Sequence, residues 1–475
     1  ILTAALGRIM LQDGYDVAPF KAQNMSLNSF VTPDGGEIGR AQALQAEACR
    51  LDPDVRMNPV LLKPSSDTGS QVIVLGKPED NMRAREYRTA RTRFFDRVKH
   101  AYDSLASEHE VMLLEGAGSP GEINLKDCDI VNMNMALYAN SPVLLVGDID
   151  RGGVYASFLG MYETFNRQER QLLRGFLVNK FRGDSSLLAP AHDYLLERTG
   201  KPVIGVVPYL KDLRLPAEDS MSFGLTPDAL PKHSDALDVA LIVVDHIANF
   251  TDYTPLELEP DIRLRHVRRA EELGHPDIII LPGSKNVIGD MDHLRDSGLA
   301  AAIVDCVKNT NVWVVGICGG LQFAGREIHD PWRIEGDGRS VAALNLLPLV
   351  TTLEREKCLW QTESVWAAKN WPVAGYEIHH GVTTVENPAL VSMTAADGRL
   401  LGFASGRVWL TYLHGVFDPD RFRRDFIDMI RVDSGRCPLG TIQSIYEIEP
   451  ALNRLADTVR QAVDMNAIYK IMGLK

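Results

Sequence analysis

The run Val312-Trp313-Val314-Val315-Gly316-Ile317-Cys318-Gly319-Gly320-Leu321-Gln322 passes from continuous apolar residues to glycines set around one cysteine. A short apolar run rich in β-branched residues reads as a strand buried on both faces. Small residues beside a nucleophile permit a sharp strand-to-helix turn that lifts its side chain clear of the sheet. The fold class follows because such runs recur. Residues 111–114, 143–147, 175–179 and 203–207 form one series, and residues 238–244, 277–281, 312–316 and 408–413 a second, with helix-length segments between them. This alternation predicts an α/β protein of two doubly wound modules whose sheets are mostly parallel. We place the first module at residues 1–225 and the second at 237–430. The Gly- and Pro-broken stretch before the second series makes residues 226–236 a linker. Helical periodicity in 421–431 and 448–472 predicts a helical C-terminal extension over 431–475.

Composition bounds the function. The 475 residues are 45% apolar and 24% charged, the balance of an ordinary globular chain with two to four domains. No apolar run reaches the roughly 18 residues of a membrane-spanning helix, so no membrane partner is expected. A net charge of −13 disfavours nucleic acid as a partner, while leaving room for a locally basic pocket. Six scattered cysteines without a C-x-x-C pair argue against both a disulfide framework and a thiolate zinc site. With no signal peptide, this points to a reducing, cytoplasmic location.

Cys318 is the candidate nucleophile. The helix after it lends its positive N-terminal end, which favours thiolate, and backbone N–H groups beside it can hold a developing oxyanion. A thiolate in acyl transfer needs a proton carrier. His414, at the end of the strand Val408–Leu413, is the first candidate, because parallel sheets gather their sites at strand carboxyl ends. His379 and His380 compete for the role. In the first module, Glu115 ends a strand before Gly116-Ala117-Gly118. It is a candidate Mg²⁺ ligand at a nucleotide site, or else merely a strand end in a glycine turn. Asn179 also ends a strand, where an amide can read an adenine edge.

The second module resembles the class I (triad-type) glutamine amidotransferases through Leu281-Pro282-Gly283-Ser284-Lys285, Gly316 to Gln322, and Thr411 to Gly415. That resemblance implies a glutamyl thioester on Cys318, with L-glutamine as substrate and ammonia as product. His414 is then the base, Gly283 and Gly319 are backbone oxyanion donors, and Gln322 lies near the glutamine. Most of that family carry a Glu two residues after the histidine, where this chain has Val416. A Cys-His dyad without an orienting carboxylate, sluggish and dependent on the other module, is therefore expected.

The first module is similar to the dethiobiotin-synthetase-like P-loop ATPases. More specifically, Pro19 to Asn28, Glu37 to Gln42, Met57 to Pro64, Leu114 to Pro120, Asp148 to Gly153 and Asn179 to Asp184 resemble the cobyric acid synthase family. The resemblance implies ATP and Mg²⁺ as cofactors and a corrinoid polycarboxylate as partner. It also implies amidation, through acyl phosphates, of the b, d, e and g carboxylates of adenosylcobyrinic acid a,c-diamide. Lys21, Gln23, Asn24 and Arg151 become candidate substrate contacts, and Lys63, Lys180 and Arg182 candidate anion partners; each basic group among them can equally be a solvated charge. No G-x-x-x-x-G-K-[ST] occurs. The resemblance places that loop just before Leu2–Arg8, hence ahead of Ile1, and a chain without it is expected to bind ATP poorly. The other readings are a cobyrinic acid a,c-diamide synthase and a non-catalytic ParA-like scaffold. The sequence leaves the oligomeric state open.

Overall fold

Strand Trp313–Ile317, which ends on the nucleophile's turn, lies at the centre of a seven-stranded sheet in the computed structural model of the chain. The structure describes all residues except 65–68, 212, 214, 217–234, 337 and 475. The sheet order by residue range is Ile262–Val267, Leu237–Ile242, Ile278–Leu281, Trp313–Ile317, Val408–Thr411, Leu400–Ser405 and Val391–Thr394. The first five run parallel, and Leu400–Ser405 is antiparallel to both of its neighbours. Alternation explains the continuous apolar runs. Ile279, Leu281, Val314 and Leu410 face one core, while Ile278, Ile280, Trp313, Val315 and Trp409 face another. Both faces are buried, so every position must be apolar.

A second, five-stranded sheet stands beside it, built around the long hairpin Leu349–Trp366 and Trp371–Val385. The two-residue strand Leu413–His414 pairs with this hairpin. His414 thus sits where the two sheets meet.

In the first module Val17–Phe20 pairs in parallel with Val111–Leu114, and Leu173–Phe181 runs parallel between Val143–Asp148 and Val203–Pro208. A four-stranded sheet (Gln23–Met25, Val60–Pro64, Gly69–Val74, Lys77–Arg83) and the hairpin Ser29–Val31/Glu37–Gly39 carry the chain toward the second module. The 226–236 linker lies outside the described residues up to 234.

The C-terminal helices Ile448–Ala462 and Met465–Met472 return to the first module. Leu455, Val459 and Ile468 share a core with Ala5, Ile9 and Val17. The buried Arg8 guanidinium donates to both carboxylate oxygens of Glu449 at 2.8 Å. No helix among the described residues is long and apolar enough to cross a membrane.

A cysteine, a histidine and a carboxylate from the adjoining loop

Cys318 adopts φ +51° and ψ −104°, the strained turn the glycines anticipate. Its N–H donates to the Thr411 carbonyl at 2.7 Å, prolonging the ladder into the turn, and helix Gly319–Ala324 follows at once. Gly320 is required by contact: a Cβ there would lie 1.9 Å from the Leu281 carbonyl oxygen. The helix therefore approaches the neighbouring strand more closely than any side chain allows. Gly319 opens the helix, so its N–H has no intrahelical acceptor and can serve an oxyanion. It packs against Ser284, whose N would be 2.7 Å from a Cβ at Gly319. Gly283 lies against the imidazole, with His414 Cε1 at 3.1 Å from the position of an added Cβ. Cys318, His414 and Gln322 line one small cavity, and Gly283 and Gly319 flank it, so the structure brings the five expected glutaminase residues together.

The expected dyad gains a third member. Asp252 Oδ2 accepts from His414 Nδ1 at 2.6 Å, and Asp252 Oδ1 accepts from the Gly415 N–H at 2.8 Å. Val416 is a buried apolar residue, as the sequence shows, but the orienting carboxylate arrives from the 3-10 turn Phe250–Tyr253 instead. Burial opposes protonation of His414, but Asp252 and the Cys318 sulfur outweigh it and raise its pKa to about 10. An imidazolium favours an adjacent thiolate. Asp252 was missed because it lies 162 residues from His414 with no local motif.

His379 and His380 line the same cavity without competing for the base role. His379 bonds the Gly381 carbonyl and the Glu377 carboxylate and stacks on Tyr412 at 3.8 Å. His380 bonds the Glu354 carbonyl and Gln71, and burial with neighbouring lysines pushes its pKa down to about 2.

In the first module Glu115 Oε1 accepts from Lys21 Nζ at 2.8 Å, and Oε2 accepts from Thr3 Oγ1 and Gln45 Nε2, each at 2.7 Å. A carboxylate already engaged by an ammonium and two neutral donors does not fit a direct Mg²⁺ ligand. As arranged, Lys21 supplies the positive charge that a cation would bring. Gln23 Oε1 accepts from Tyr87 and Arg91, and Asn24 Nδ2 donates to Gln42; both residues are buried. Arg151 is exposed, 4.0 Å from Asp148. Asn179 stands beside Asp148 in the parallel ladder, near a strand carboxyl end. The structure joins Lys21 and Glu115 in one ion pair and sets Asn179 beside Asp148, the carboxylate that also neighbours Arg151.

The two modules meet at the glutaminase centre. Asn249 Oδ1 accepts from the Ser29 N–H at 2.9 Å, and Asn28 Oδ1 accepts from the Phe250 N–H at 3.2 Å. Phe30 packs on Tyr376 at 5.1 Å, and Tyr376 stacks on His414. Lys63 lines the cavity of Cys318 while bonding Glu37 at 2.8 Å. Thus the turn bearing Asp252 is clamped from the first module. Asn28→Ala removes the Asn28 Oδ1 contact to the Phe250 N–H, and we expect glutamine hydrolysis to fall about 10-fold, measured as glutamate release.

Comparison with known proteins agrees with this division. Residues 238–422 match the CobB/CobQ-like glutamine amidotransferase domain, and residues 1–223 match the CobQ/CobB/MinD/ParA nucleotide binding domain. The cobyric acid synthase of Nitratidesulfovibrio vulgaris is 52% identical, covering 100% of this chain and 95% of that protein. That of Desulfitobacterium hafniense is 46% identical with the same coverages. The adenosylcobalamin biosynthesis bifunctional protein CobDQ of Leptospira interrogans is 50% identical across all of this chain and 55% of its own length. A cysteine–histidine–carboxylate centre in one half, a nucleotide-binding half closed against it, and full-length identity of this order together place the chain in the cobyric acid synthase family.

Proposed function

We propose that the protein is a glutamine- and ATP-dependent amidotransferase of cobalamin biosynthesis that amidates the b, d, e and g carboxylates of adenosylcobyrinic acid a,c-diamide. The observation that carries this reading is the Cys318–His414–Asp252 centre, held partly by residues of the nucleotide-binding module. The Cys318 thiolate adds to the γ-carbonyl of glutamine. The oxyanion is received by the backbone N–H groups of Gly283 and Gly319. His414 gives its proton to the leaving nitrogen, the C–N bond breaks and ammonia departs. Water, deprotonated by the now neutral His414, hydrolyses the thioester and restores the thiolate. In the first module, ATP converts a carboxylate, a poor electrophile, into an acyl phosphate that ammonia displaces.

Supplying the a,c-diamide, glutamine and ATP and counting amides by mass spectrometry tests the reading. Four new amides are expected. Two amides formed on cobyrinic acid, with none on the a,c-diamide, would assign a cobyrinic acid a,c-diamide synthase. No amide on either, together with no labelling of Cys318 by an electrophilic glutamine analogue, would assign a scaffold.

A further inference from the structure

Three lysines line the cavity at Cys318, and two of them already bond a carboxylate. Lys63 donates to Glu37 and Ser29, and Lys357 donates to Glu37. Lys285 is different. It is 6% exposed and lines the cavity, yet its Nζ makes no hydrogen bond and no ion pair among the described residues. It lies on the loop between strand Ile278–Leu281 and helix Val287–Asp296, fixed by its own N–H donating to the His246 carbonyl at 2.9 Å. Two acceptors border the same cavity. Gln322 Oε1 is buried without a donor. Glu335 spends Oε2 on the Val287 N–H at 2.7 Å, and makes no ion pair with Lys285.

Desolvating an ammonium or a carboxylate is unfavourable unless an opposite charge meets it. Burial pushes the Lys285 pKa down and the Glu335 carboxyl up to about 7, the directions expected of charges short of a close partner. Opposite charges that share a cavity without touching leave room for a ligand bearing both. An α-amino acid headgroup is such a ligand, because it presents a carboxylate and an ammonium on one carbon. Extending the glutaminase reading above, we propose that Lys285 receives the α-carboxylate of glutamine and that Glu335, with Gln322 Oε1, receives its α-ammonium. The pair thereby selects an amino acid over other primary amides that could reach Cys318.

Two truncated substrates separate the roles: 4-aminobutanamide lacks the α-carboxylate, and glutaramate lacks the α-ammonium. Amide hydrolysis is measured for each, and for glutamine, with the full chain. For Lys285→Met we expect KM for glutamine and for glutaramate to rise about 10- to 100-fold, with kcat little changed and hydrolysis of 4-aminobutanamide as in the parent. Glu335→Gln should show the mirror pattern, weakening glutamine and 4-aminobutanamide while sparing glutaramate. Lys285→Arg should recover part of the lost affinity. Equal losses on all three amides would show a structural role and overturn the inference. So would an unchanged KM for glutamine in Lys285→Met. A parent protein that releases no glutamate would instead overturn the glutaminase reading, and this inference with it.

Discussion

The variant Cys318→Ala is expected to lose glutamine hydrolysis by about 10⁶-fold, the usual result of deleting an enzymatic nucleophile. Alanine keeps Cβ, so the backbone at φ +51° carries the same strain as before and the turn has no new freedom to relax. What disappears is the sulfur alone. No thioester then forms, and His414 has no thiolate to pair with. Amidation supported by ammonium salts should survive where the nucleotide module is active, because acyl phosphate formation does not pass through Cys318. Glutamate release and ammonium-supported amidation, measured side by side, check both halves. Joint loss of the two activities would contradict the division of labour between the modules.

Asp252→Asn should lower kcat for glutamine hydrolysis about 10³- to 10⁴-fold, by analogy with removing the carboxylate from other nucleophile–His–carboxylate triads. The carboxylate accepts from both His414 Nδ1 and the Gly415 N–H. An asparagine amide satisfies one of these donors only by turning its own N–H₂ toward the other. The imidazole then loses its fixed tautomer and the charge that holds its proton. The sign of the pH effect follows. Asp252 raises the His414 pKa, so removing it lowers that value, and the alkaline limb of the rate profile should move to lower pH. In the folded protein, the stability that comes from this raised pKa is fully present below about 6.5, the ordinary histidine value, and is lost as pH rises toward about 10. An unchanged limb with a kcat within threefold of the parent would remove Asp252 from the mechanism.

The turn that bears Asp252 is bonded to the nucleotide-binding module. Asn249 occupies the left-handed region at φ +51°, and its side chain reaches back to the Ser29 N–H. The same segment bonds the oxyanion loop, where the Ala248 N–H donates to the Gly283 carbonyl at 2.9 Å. One short stretch therefore touches the first module, Gly283 and His414. Lys21, which holds Glu115, and Asn28, which accepts from the Phe250 N–H, lie on one segment of the first module.

Much was legible from local pattern alone. Continuous apolar runs located most of the parallel strands of both modules, because a strand covered on two faces disfavours polar positions. Ile262–Val267, at the sheet edge with Arg263, Arg265 and His266, shows no such run. Glycines after Val315 marked the turn at Cys318, since only they permit the approach to Leu281. His414 was readable as a strand end. The limits were equally physical. The antiparallel hairpin of 349–385, solvated along much of its length, lacks such runs, so its sheet went unread. Gln23 Oε1 accepts from Tyr87 and Arg91 and Asn24 Nδ2 donates to Gln42, pairings that no local pattern announces.

By itself, then, the sequence determined the two α/β modules and the strand–turn–helix unit that carries Cys318, because these depend on residues close together in the chain. Tertiary structure alone decided the rest. Asp252 reaches His414 across 162 residues, and Asn28 reaches Phe250 across 222. The tail, read as an appended extension, packs on the first module's opening helix through Leu455 and Val459. Each of these contacts joins elements whose periodicity is complete without it. Periodicity specifies which face of an element is apolar; only packing specifies what that face, and the polar groups at its rim, will meet.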